Sequence, residues 1–383
     1  MILERNAISR RQLLRGALAA GAMSCAAPSI ARSIAPNPAA GLDALAKTKG
    51  MRFGTAIAAA DLDDPAFVEL LCRDCSILVG ENAFKWKHVE PRSRQFDFSR
   101  ADRIYEWSQQ NGMALRGHTL AWNQDNRLPE WLVRVEEEDE AVRGPLVEQL
   151  LRSHAETIIT RYPAIASWDV VNEMILLGNG EVRSSVLSRA LGDRIMDVCF
   201  GIARDLAPGT QLAYNDYMSW NRKPDHKRGV LRLLEEALGR GVPIDALGIQ
   251  AHLVNSAGGD VDEAGWREFL DEVQGMGLTV VITELDCADQ NIAATSIAER
   301  DRIAAEHVRA FLDLTLSYEN VSDILLWDMT DRDSYVRSAR YANNRPREDG
   351  TKLRAHPYDD ALQPKPMYAA IADAFRAAPD RRA

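Results

Sequence analysis

A single alternation organises the chain. Apolar runs rich in strand formers, MRFGTAIAA, SILVGENAF, MALRGHTLAW, IASWDVVNEM, TQLAYNDYM, ALGIQAHL, TVVITELD and DILLWDM, recur eight times between Met51 and Met329. The intervening stretches, such as AERDRIAAEHVRAFLDLTL from Ala298, have helical periodicity with charges on the opposite face. Strand and helix therefore alternate throughout, and eight such units predict an α/β fold of one (β/α)8 TIM barrel. No Pro/Ser/Gly-rich linker interrupts the pattern, so one catalytic domain is expected over residues 36–383.

Polar residues gather at the C-terminal ends of these runs, the face on which barrel enzymes assemble a site from several strands. WDVVNEM ends near Glu173 and VVITELD near Glu284, 111 positions further on. Residues so far apart meet only if the fold brings them together. Two such glutamates suit cleavage of a glycosidic bond, because a retaining glycosidase needs one protonated and one ionised carboxyl roughly 5 to 5.5 Å apart. A single glutamate at a strand end is more often solvated or ion-paired, so the neighbouring residues carry the weight.

Those neighbours form an ordered set: GENAFKW from Gly80, RGHTLAW from Arg116, WDVVNE from Trp168, YNDY from Tyr214, ALGIQAHL from Ala246, ITELD from Ile282 and LLWDMTD from Leu325. QPKPMYAAI from Gln363 closes the series as a last barrel helix. From about residue 50 onward the chain resembles family 10 glycoside hydrolases, the xylanase family. The resemblance implies that Glu173 is the general acid and then the base, and Glu284 the nucleophile. Gln250 and His252 would orient the Glu284 carboxylate, and Asn172 would donate to the sugar 2-hydroxyl. Glu81, Asn82 and Lys85 would bind sugar on the non-reducing side, with His118 and Trp122 on the same wall. Trp327 and Tyr335 would bracket the sugar ring, and Tyr217 would face the leaving group.

Four positions depart from the family. After RGHTLAW a His-Ser-Gln sequence is usual, whereas this chain has Asn123, Gln124 and Asp125. Eight residues beyond Trp327 a tryptophan is usual, and here the residue is Tyr335. Asn123 and Asp125 replace groups that in the family would face the sugar ring or its non-reducing neighbour, so hydrogen bonds to the sugar are expected to be lost there. The departures put the preference for xylose over sugars bearing a hydroxymethyl group in question.

The N-terminus adds a second expectation. SRRQLLR from Ser9 followed by GALAAGAMSCAAPSIA reads as a twin-arginine signal peptide over residues 1–35, removed on export to the periplasm or the medium. Its loss takes five arginines and one glutamate and moves the formal net charge from −10 to about −14, which disfavours nucleic acid and other polyanions. The acidic run EEEDE at Glu136–Glu140 is expected to be a solvated helix start. No apolar run of membrane-spanning length follows the leader. Cys72, Cys75, Cys199 and Cys287 are expected to be mostly buried thiols, since Cys72 and Cys75 lie three apart on a helix and no second metal-ligand pair follows. The sequence thus predicts a monomeric retaining endo-β-1,4-xylanase without cofactor or metal, acting on xylan or xylo-oligosaccharides. The alternatives are a glycosidase of the same fold acting on another β-glycan or a decorated glycoside, and an exported barrel that binds sugar without turnover.

Overall fold

The computed structural model describes residues 41–256, 261–294, 296–332, 334–338, 341 and 346–381. The leader expected over residues 1–35 lies outside them.

The strands are β1 (Arg52–Ile57), β2 (Ile77–Gly80), β3 (Ala114–Trp122), β4 (Ser167–Asn172), β5 (Gln211–Asp216), β6 (Ala246–Ile249), β7 (His252–Ser256), β8 (Thr279–Asn291) and β9 (Val321–Leu326). Every pairing is parallel. Neighbours run from β1 to β6 in chain order, β6 pairs β8, β8 pairs β9, and β9 returns to β1 with Gly54 opposite Leu325. Eight strands therefore close a barrel, as the alternation predicts. The ninth, β7, lies beyond its mouth and, among the described residues, pairs with the outer half of β8, His252 opposite Asp286.

That extra strand arises because the run ALGIQAHL breaks in the middle. Ala251 takes φ +56°, and the N–H groups of Gln250 and Ala251 turn to the carbonyls of Asp216 (3.0 Å) and Met218 (3.1 Å). The ladder of β6 stops, and the chain resumes one layer higher.

Two apolar layers hold the barrel. Ala56, Ile77, Val79, Ala213, Ala246, Val281 and Leu325 come from strands around the ring and fill its lumen, a packed core rather than a pore. The opposite strand faces pack against helices such as Ser99–Gln110, Ile195–Leu206, Ile297–Thr315 and Pro366–Ala377. The last of these begins with Pro at its first position, where the missing N–H costs no helical hydrogen bond. Gly117 on β3 is required by packing: a Cβ there would lie 2.1 Å from the Trp168 ring of β4.

The acidic run leads into a helix start as expected, with Glu137–Glu140 exposed and Asp139 the cap residue, and only Glu136 is drawn into a side-chain pair. Arg134–Glu137 forms a short 3-10 turn, the following helix begins at Glu140, and Glu136 pairs with Arg189. The four cysteines are free thiols, Cys72 exposed and the other three buried. No helix among the described residues is long and apolar enough to cross a membrane.

Candidate active site

The strand ends surround a cleft of about 640 Å³ whose lining includes Glu81, Asn82, Lys85, His118, Trp122, Glu173, Tyr217, Gln250, His252, Glu284, Trp327 and Tyr335. Glu173 and Glu284 thus share one cleft, both buried.

Glu173 follows the last residue of β4 in the left-handed region, φ +57°, where its N–H donates to the carbonyl of Asn215 at 2.9 Å. Such a conformation costs about 1 kcal/mol or more for a residue with a Cβ and persists only where surrounding contacts fix it. Three donors converge on Oε2: Trp122 Nε1 at 2.8 Å, Gln124 Nε2 at 2.6 Å and the Tyr217 hydroxyl at 2.7 Å. Gln250 Nε2 donates to Oε1 at 3.1 Å. Burial raises the Glu173 pKa above the ordinary carboxylate value. The Tyr217 and Trp122 hydrogen bonds oppose that rise, and the negative charges of Asp216 and Glu284 add to it.

Glu284 lies within β8 in different company. Asn215 Nδ2 donates to its Oε1 at 2.9 Å, and His252 Nε2 lies 3.0 Å from its Oε2. The other imidazole nitrogen, Nδ1, lies 2.6 Å from Asp286 Oδ2. Burial alone would lower the His252 pKa. Asp286, and then Glu284, outweigh it and raise the pKa to about 10, so His252 is an imidazolium at neutral pH. One carboxyl is therefore disposed to keep a proton, and the other faces a cation.

The profile of glycosyl hydrolase family 10 matches residues 41–374. The chain belongs to that family. It is a glycoside hydrolase of endo-1,4-β-xylanase-like build. It is 30% identical over 332 residues to endo-1,4-beta-xylanase 3 of Hypocrea jecorina, covering 86% of this chain and 84% of that one. It is also 30% identical over 300 residues to endo-1,4-beta-xylanase A of Caldicellulosiruptor saccharolyticus, covering 74% and 83% respectively. The crystal structure of xylanase 10B from Thermotoga petrophila RKU-1 in complex with xylobiose superposes with a TM-score of 0.77 at 25% identity, covering 88% of this chain and 98% of that one.

In this family 10 hydrolase the wall beside Glu173 is built around Lys85. Its Nζ donates to Asn82 Oδ1 at 3.0 Å and lies 4.7 Å from the Trp122 ring centre and 5.5 Å from that of Trp327. Burial lowers its pKa to about 8 against the opposing pull of Glu284 and Glu81. His118 is fixed from behind by Asp169, Nδ1 to Oδ2 at 2.9 Å, and meets Trp327 edge to face at 5.3 Å between centroids.

Several sequence expectations need correction in the family 10 barrel. Gln250 does not hold Glu284. The break at Ala251 separates it from His252, and its amide reaches Glu173 instead. Asn123 and Asp125 do not face the sugar. Asn123 is fully buried, donating to the Arg183 carbonyl at 2.8 Å and accepting from the Ser185 hydroxyl. Asp125 accepts from the Val186 N–H at 2.7 Å and pairs with Arg189 at 2.7 Å. Both fasten the segment that follows β4. The altered residue that reaches the site is Gln124, on Glu173. Asn172 is buried outside the cleft lining, its amide meeting that of Asn215 at 2.9 Å. Trp327 lies almost wholly buried beside the lumen cluster, while Tyr335 stands in the wall with its hydroxyl 2.6 Å from Asp286 Oδ2.

Sequence reading missed Asn215, Asp286 and Gln124. A signal existed for Asp286, two residues beyond Glu284 on one strand and therefore on the same face.

Proposed function

We propose that this glycosidase cleaves internal β-1,4 bonds of xylan or xylo-oligosaccharides with retention of configuration. Glu173 passes its proton to the glycosidic oxygen as the bond to the anomeric carbon breaks, and a Glu284 oxygen forms an ester to that carbon. Glu173, now ionised, takes a proton from water as the water oxygen displaces Glu284 and restores its carboxylate. The observation that carries this reading is the contrast between two carboxyls in one cleft. Glu173 is buried with its pKa raised, whereas Glu284 is held by the His252 imidazolium and Asn215.

The xylanase names of the relatives and the xylobiose in the superposed structure support xylose-based glycans as the substrate. Export by the twin-arginine route, with action in the periplasm or the medium, is part of the same reading and rests on Arg10 and Arg11 ahead of the Ala-rich segment. The test is product analysis on xylan beside β-glucan, with proton NMR of the first product. Release of xylo-oligosaccharides of mixed length as the β-anomer is expected. An initial α-anomer excludes double displacement, and preferential release from glucan excludes xylan as the substrate.

A further inference from the structure

Tyr335 stands where the family usually has tryptophan, and its hydroxyl changes the surroundings of the candidate nucleophile. The phenol donates to Asp286 Oδ2 at 2.6 Å and lies 3.2 Å from His252 Nδ1. His252 Nδ1 is itself 2.6 Å from the same Asp286 oxygen. One carboxylate oxygen is thus shared by a phenol and an imidazole whose far nitrogen touches Glu284 at 3.0 Å. The Tyr335 ring is braced edge to face by Tyr341 at 5.4 Å between centroids, and both residues line the cleft.

We propose that Tyr335 is a positioning residue for the nucleophile, acting through Asp286 and His252 to strengthen the imidazolium's grip on Glu284. This rests on the reading of Glu284 as nucleophile. The argument follows from sharing. A hydrogen bond from Tyr335 withdraws negative charge from Asp286 Oδ2, so less of the imidazolium charge is neutralised at Nδ1 and its Nε2–H holds Glu284 more strongly. An imidazolium held strongly at Nε2 stabilises the Glu284 anion, which slows its attack on the sugar and speeds its departure. By taking part of Asp286, Tyr335 shifts the balance toward departure of Glu284 from the glycosyl ester. Burial and the negative charge of Asp286 raise the phenol pKa well above its ordinary value, so Tyr335 remains a donor. The titratable and charged groups around this chain of contacts include Glu284, Asp286 and Cys287 on β8, Tyr341, Asp328 and His356 after β9, Glu81 and Lys85 after β2, Glu173 after β4 and Tyr217 after β5.

The test is Tyr335→Phe, which keeps the ring and removes the hydroxyl. A 2-deoxy-2-fluoro-xylobioside with a dinitrophenyl leaving group separates the two steps, inactivation reporting attack by the nucleophile and reactivation its departure. Reactivation is expected to slow about tenfold, the equivalent of one net hydrogen bond, while inactivation is unchanged or faster. Equal slowing of both steps, or wild-type values for both, overturns the proposal. Tyr335→Leu is expected to show the same change in the ratio of the two rates with weaker binding added. If Leu reactivates slowly and Phe does not, the ring alone matters and the proposal fails. Peptide mass mapping of the inactivated wild type separates the two readings. Label on a residue other than Glu284 removes the nucleophile assignment, whereas label on Glu284 with unchanged rates in Tyr335→Phe removes only the role of Tyr335.

Discussion

His252 Nδ1 lies 2.6 Å from Asp286 Oδ2, opposite it in the short ladder that β7 makes with the outer half of β8. The strand that carries His252 therefore exists outside the barrel, and its register with β8 decides which carboxylates the imidazole meets. The result is a cation wedged between two acids of one strand.

This arrangement predicts a pH dependence of stability. The His252 pKa rises from 6.5 to about 10 in the folded protein, so its contribution is fully present below 6.5 and is lost as pH rises through about 10. Lys85 acts with the opposite sign. Its pKa falls from 10.5 to about 8, so folding gains stability between those values as pH rises. The two oppose each other above pH 8, which leaves roughly pH 6.5 to 8 as the window for His252. Thermal melts of the wild type are expected to decline across that window, and those of His252→Gln to decline less. Parallel curves exclude a charged His252.

The two glutamates should fail differently. Glu284→Ala is expected to abolish hydrolysis and to recover partial turnover with azide, giving a product of inverted configuration, because the deletion opens space on that side of the sugar. Glu173→Ala is expected to retain activity on aryl glycosides with good leaving groups and to lose it on xylan. The raised pKa of Glu173 adds a pH signature: activity is lost as pH rises through that value, so the alkaline limb on an activated substrate should vanish in the variant. Persistence of that limb assigns it to another group.

Asn123 tests the corrected role of the segment after β3. Asn123→Ala leaves the Arg183 carbonyl and the Ser185 hydroxyl short of a buried partner, a loss of about 1 to 3 kcal/mol. Urea unfolding should register it, while the ratio of kcat/KM for xylobioside over cellobioside stays at the wild-type value. A changed ratio with unchanged stability restores Asn123 to the sugar.

The barrel was legible because each strand is an apolar run ending in polar residues, and the boundaries shifted by only a few positions: MALRGHTLAW became Ala114–Trp122 and TQLAYNDYM became Gln211–Asp216. That Glu173 and Glu284 meet in one cleft was legible from their motifs. What failed was the carry-over of the resemblance to the residues around the two glutamates. Gln250 and His252 lie two apart and would share a face of a straight strand, but the positive φ of Ala251 sends them to different glutamates. Asn123 and Asp125 follow Trp122 in sequence, yet β3 has ended, and their side chains fasten the segment carrying Arg183, Val186 and Arg189. Asn215 was hidden for another reason, since its importance lies in contacts with residues distant in sequence.

Gly248 connects those distant contacts to one missing methyl group. It lies on β6 beside Asn215 of β5, and a Cβ built there would stand 2.4 Å from Asn215 Oδ1 and 3.1 Å from its Cβ and Cγ. Asn215 cannot yield freely. Its Oδ1 accepts from Thr283 Oγ1 at 2.7 Å, its Nδ2 donates to Glu284 at 2.9 Å, and its carbonyl accepts the Glu173 N–H at 2.9 Å. Gly248→Ala should therefore displace the amide from Glu284 and lower kcat about 10- to 100-fold, as loss of a hydrogen bond to a charged group implies, with KM little changed. Overpacking should also lower stability by about 1 to 3 kcal/mol. Adding Asn215→Ser makes room for the methyl, so the double variant should regain stability without regaining turnover. Recovery of both together would mean that Gly248 serves only packing, and wild-type kcat in the single variant would mean that Asn215 does not act on Glu284.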